Sequence, residues 1–185
     1  MKAGNALKKA RLMKTPIPVN GSGSCTYGGT WAYNGTIDYQ TYQFNITFTF
    51  NNCREDDTQM NGPMTEQGTF SQSGSMTMNI TFGDQQTDFT MLEFTNNYTT
   101  LISEMTLNKL TMAMSMSGSQ TSPSMSSTMN GTVAIHDYLA QQDYSMTFNN
   151  YKGDFSGQCQ DQYCDTGTFI FTVNGGFSET WNNGQ

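Results

Sequence analysis

YQTYQFNITFTFNNC, residues Tyr39 to Cys53, decides the fold class. From Tyr42 the apolar residues fall on alternate positions, Tyr42, Phe44, Ile46, Phe48 and Phe50, with Gln43, Asn45, Thr47 and Thr49 between them. Successive side chains of a strand point to opposite faces, so this alternation describes a strand with one buried face and one polar face. Asn51-Asn52 reads as the turn that ends it. Degenerate copies recur at 91–98, MLEFTNNY, and at 144–151, YSMTFNNY.

Outward from this stretch the same pattern continues. Cys25 to Tyr33 reads as a first strand, and Asn34-Gly35 as a two-residue hairpin turn, because both turn positions need positive φ. Residues 54–62, REDDTQMNG, read as an exposed acidic loop. Hairpins are expected across Ser73-Gly74 and Gly83-Asp84. Residues 98–110 read as strand. Met112, Met114 and Met116 share one strand face, and 118–127 reads as a loop. Strands are also expected at 144–148, 166–173 and 177–181. Tyr33-Asn34-Gly35-Thr36-Ile37 resembles Met129-Asn130-Gly131-Thr132-Val133, and Ser73-Gly74-Ser75-Met76 is a weaker third copy. The expected fold is all-β: three diverged repeats giving about 10–12 short strands in an antiparallel meander. Closure into a barrel would remove exposed strand edges, and a β-sandwich is the alternative. Trp31 and Trp181 would mark the seam.

At 185 residues the chain suits one domain. Its parts read as a basic tail and Pro/Gly/Ser linker over 1–24, a β domain over 25–182, and a tail over 183–185. Charged residues make up 12% and aromatics 12%; aromatics in phase with the strands argue for a packed fold over disorder. The 14 Met residues mostly sit in alternating strands, as adaptable core filler. A net charge of −7 argues against nucleic acid, which binds through Lys and Arg. No apolar run is long enough for a transmembrane helix. Lys2, Lys8, Lys9, Arg11 and Lys14 supply five of the eight basic residues, yet no apolar segment follows them as in an export signal.

Cys25, Cys53, Cys159 and Cys164 allow three pairings. With one His in the chain and no Cys-x-x-Cys, zinc is disfavoured. Cys25–Cys53 and Cys159–Cys164 disulfides in an oxidising compartment are expected.

Catalysis has little support, and no catalytic residue is nominated. His136 neighbours Asp137, but adjacent strand residues face opposite ways. Glu93 and Glu104 are the pair to weigh for a glycosidase. Asp154, Asp161 and Asp165 lie in a Gln-rich loop and offer hard oxygen ligands for calcium, against the plainer reading of a solvated loop. No other cofactor is expected. Thr47, Thr49, Thr77 and Thr81 put hydroxyl ladders on the polar face.

Gly29-Thr30-Trp31 resembles the Gly-x-Trp that opens lipocalin-type and avidin-type barrels. Residues 25–182, with their Asn-Gly-Thr starts and Phe-Asn-Asn ends, resemble uncharacterised secreted or surface β-repeat proteins of environmental bacteria, which implies an extracytoplasmic location. The expected function is a non-catalytic secreted or cell-surface domain with a structural or binding role toward a surface partner. A barrel binding a small apolar ligand is the alternative, and a carbohydrate-active hydrolase the next. The Thr/Asn face of Tyr39–Cys53 is the expected contact surface.

Overall fold

The computed structural model describes the backbone of residues 16–71, 74–95, 99–119, 122–156, 164–173 and 177–183, and side chains over 16–71, 74–95, 99–117 and 125–152. Eleven strands form one antiparallel sheet: β1 Ile17–Ser24, β2 Thr30–Asp38, β3 Gln43–Glu55, β4 Thr58–Phe70, β5 Met76–Phe82, β6 Phe89–Phe94, β7 Leu101–Ser119, β8 Ser122–Asp137, β9 Gln142–Ser156, β10 Cys164–Val173 and β11 Phe177–Asn183. Neighbours in sequence are neighbours in the sheet, with one exception. β5 and β6 both pair with β4 and with β7. β5 takes Met64–Phe70 of β4, and β6 takes Thr58–Asn61. They are two halves of one strand slot, interrupted by an excursion over Gly83–Asp88. The excursion is closed by Gly83 N–H to Pro63 O (2.8 Å) and by the Asp84 carboxylate, which accepts from Gln86 N–H (2.8 Å) and Thr87 N–H (2.7 Å). Among the described residues no helix is long and apolar enough to cross a membrane.

Several expected turns lie inside strands. Residues 17–24, expected as linker, are β1, paired with β2 along its whole length. Trp31 and Tyr33 cover the glycines that weaken this segment: an added Cβ at Gly23 would sit 2.8 Å from the Trp31 ring, and one at Gly21 would sit 2.6 Å from that of Tyr33. Pro18 is tolerated because β1 is an edge strand. Asn34-Gly35 is not a turn. β2 continues through it, so that Trp31, Tyr33 and Ile37 stand opposite Phe50, Phe48 and Phe44. The turn comes at 39–42, where Asp38 accepts from Gln40 N–H (2.7 Å) and Thr41 N–H (3.3 Å). The acidic loop shrinks to Asp56-Asp57 between β3 and β4. Residues 98–110 contain strand, as expected, within the longer β7, and both β7 and β8 extend into the expected loop at 118–127. Residues 153–165 read from sequence as a loop or irregular hairpin; β9 and β10 extend into this segment and pair there.

Asn51-Asn52 is also no turn but a β-bulge within β3. It belongs to a row. Left-handed residues occur at Asn52 (φ 48°), Gly62 (104°), Gly83 (78°), Lys109 (50°), Gly131 (123°) and Asn150 (50°), one in each slot from β3 to β9. Register breaks fall beside them in the β3–β4, β7–β8 and β8–β9 ladders. A bulge bends its strand and raises its twist, so the row sets a bend at one level of the sheet. The core lies at that level: Phe89, Leu107, Leu110 and Val133 are buried, with Phe50, Met64, Phe82, Met129 and Phe148 packed against them. Elsewhere the apolar face is half-buried.

Candidate functional site

The polar face of β2–β5 carries a cavity. Antiparallel pairing aligns side chains across strands in rows that share a face. One row is Thr36, Asn45, Gln67 and Asn79; the next is Asp38, Gln43, Thr69 and Thr77. Between them lies a hollow of about 450 Å³, floored by Phe44 and Gly68 and bounded at the sheet edge by Pro16. Gly68 permits this floor, since a Cβ there would run into the Thr77 carbonyl oxygen.

The chemistry of the hollow is amide and hydroxyl. Among the described residues no Lys or Arg lines it, and Asp38 is the single carboxylate. The Thr69 and Thr77 hydroxyls are hydrogen-bonded at 2.7 Å, so one of the two keeps its proton for a further acceptor. The backbone N–H of Gln40 at the Asp38 carboxylate, joined by Thr41, holds its pKa below the ordinary value. Asp38 is therefore an anion at neutral pH. The amide and hydroxyl residues of the two rows are exposed, while Asp38, Phe44 and Gly68 are half-buried.

Cys25 and Cys53 are disulfide-bonded, with Cα atoms 5.4 Å apart. The bond ties the β1–β2 connection to β3. Beside it Tyr27 N–H donates to Arg54 O (3.0 Å), Arg54 N–H to Gly28 O (2.9 Å), and Thr26 N–H to the Glu55 carboxylate (3.0 Å). The Thr26 side chain, joined by this N–H, lowers the Glu55 pKa. Cys25, Cys53 and Glu55 have the composition of a metal ligand set, but the two sulfurs are spent on each other and offer no thiolate. The expected Cys159–Cys164 bond lies outside the described residues. So do the calcium ligands: Asp161 entirely, and the side chains of Asp154 and Asp165, whose backbones stand near each other where β9 meets β10.

His136 does not pair with Asp137, which instead caps the turn through Leu139 N–H and Ala140 N–H (both 2.8 Å). Its partner is Asp143, directly opposite on β9, at 2.6 Å. The sequence hides this pair because seven residues and a turn separate the two. Both side chains are open to solvent, 37% and 73% exposed, as in a surface ion pair. Tyr138 packs edge-on against His136 and donates to Glu104 at 2.9 Å. This bond raises the Tyr138 pKa. Glu104 stands opposite Leu92, and Glu93 opposite Ser103, from which it accepts at 2.9 Å. Glu93 and Glu104 thus occupy opposite faces and cannot flank one glycosidic bond.

No family model matches the chain, and neither a curated protein nor a solved structure matches it.

Proposed function

We propose that this chain is a non-catalytic β-domain of the cell exterior, secreted or surface-attached, that works by binding through the polar face of β1–β5. The hollow carries the reading: about 450 Å³ bounded by hydrogen-bonding side chains and a single carboxylate, a size within the range of small-molecule sites. Hydrolysis of a glycosidic bond would need two carboxylates, and among the described residues Asp38 stands alone there. The Cys25–Cys53 bond supports an oxidising compartment. The paired Phe-Asn-Asn bulges support descent from a repeated unit.

The second reading is a closed barrel holding a small apolar ligand. It draws on the half-buried aromatic face, where Trp31 stacks on Tyr33 and Phe48 on Phe50. It requires β1 to pair with β11, whereas the described ladders end at these two strands.

Fractionation of the native host with non-reducing peptide mapping tests the location. The chain is expected outside the cytoplasm with Cys25 and Cys53 joined. Cytosolic chain with both thiols free would overturn the reading.

A further inference from the structure

We infer that the hollow takes a neutral oligosaccharide, an inference that rests on the polar face being the binding surface. The lining residues argue for it by exclusion and by match. Among the described residues the lining carries no Lys or Arg and holds ionised Asp38, a charge balance that disfavours phosphate, sulfate and carboxylate groups. Its walls bear amide and hydroxyl groups, which disfavours an apolar ligand. A sugar hydroxyl both donates and accepts, and so do the amides of Gln43, Asn45, Gln67 and Asn79.

The arrangement is also extended. Asp38 and Thr77 lie three strand gaps apart, about 14 Å at the usual strand spacing. That suits a chain of sugars lying across the strands better than a single ring. Asp38 gives the strongest contact. Its carboxylate accepts from the turn N–H groups and the Thr41 side chain, and its remaining lone pairs can accept from a sugar O–H in a charge-assisted bond. Because strands hold the rows in place, little ordering entropy is lost on binding.

Calorimetric titration of the full chain with cellotriose, maltotriose and chitotriose, and with trigalacturonate as the charged comparator, tests the inference. At least one neutral trisaccharide is expected to bind, and trigalacturonate is expected not to. Asn79→Lys, which fills the hollow, should abolish binding. Thr128→Lys, farther along the same face, should leave it unchanged. Asp38→Asn keeps a turn-capping oxygen but removes the charge, and should weaken binding about tenfold. Circular dichroism checks that each variant folds. Preference for trigalacturonate, or no binding by any neutral sugar, overturns the inference. Retention of the chain on isolated host cell envelope separates the two levels. If Asn79→Lys abolishes retention while no sugar binds, the sugar is wrong and the surface right; if retention is unaffected as well, both fall.

Discussion

Asn52 and Asn150 hold the same left-handed backbone, and each donates its N–H to an Asn side chain on the neighbouring strand, Asn61 at 3.2 Å and Asn130 at 2.8 Å. In both cases that Asn precedes a positive-φ glycine, Gly62 or Gly131. The bulge is therefore a two-strand device: Phe-Asn-Asn on one strand, Asn-Gly on the other. Gly62→Ala would force a side chain into φ 104° with its Cβ 2.5 Å from Asp88 O. We expect a loss on the order of 1–3 kcal/mol in urea unfolding. Asn61→Ala, which removes only the side-chain bond, should cost about 1 kcal/mol. A second prediction concerns Asp38. Its native pKa lies below the ordinary carboxylate value, so its ionised form stabilises the fold above that value, and the contribution fades as pH falls through the native pKa. The unfolding midpoint of the wild type should exceed that of Asp38→Asn at pH 6, and the gap should close by strong acid. These residues also show what sequence reading reaches. Asn51-Asn52 supplies left-handed backbone at Asn52, whereas Asn34-Gly35, read as a positive-φ turn, does not adopt it and stays within β2. Whether such a pair makes a turn or a bulge depends on strands far away in the chain, and the Trp31 to Ile37 alternation running through Asn34-Gly35 was the local sign that the strand continues.

β5 and β6 show how a single slot builds the core. The excursion at Gly83–Asp88 delivers Phe89 into the bend, where it meets Phe50 edge-on at 5.8 Å and Phe82 at 5.4 Å. Phe89 is 2% exposed. Phe89→Ala should cost about 3–5 kcal/mol in chemical denaturation. A loss below about 1 kcal/mol would mean that the core does not centre on this residue. The existence and type of most strands were legible, because alternation at 42–50, 76–82 and 112–116 leaves little else. β1 was not: Pro and Gly mask a strand held by its ladder to β2 and by the rings of Trp31 and Tyr33. The pairing of Cys25 with Cys53 was legible as two cysteines brought together by antiparallel strands. The His136–Asp143 pair was not, since it depends on cross-strand register.

Across the whole molecule, one sheet separates two chemistries. Aromatic and Met side chains gather on one face over the row of bulges; amides and hydroxyls occupy the other. The polar face of Tyr39–Cys53 was expected to be the contact surface from its composition. The hollow itself needs Thr36, Asn45, Gln67 and Asn79 in register from four strands, which no local pattern states. An amide-resolved NMR titration of the folded chain with cellotriose, maltotriose and chitotriose distinguishes the two faces. The predicted result is a set of shifts confined to 36–38, 43–45, 67–69 and 77–79, including the side-chain amides of Asn45, Gln67 and Asn79. Shifts centred instead on Trp31, Tyr33, Phe48 and Phe50, or none with any of the three sugars, would contradict it.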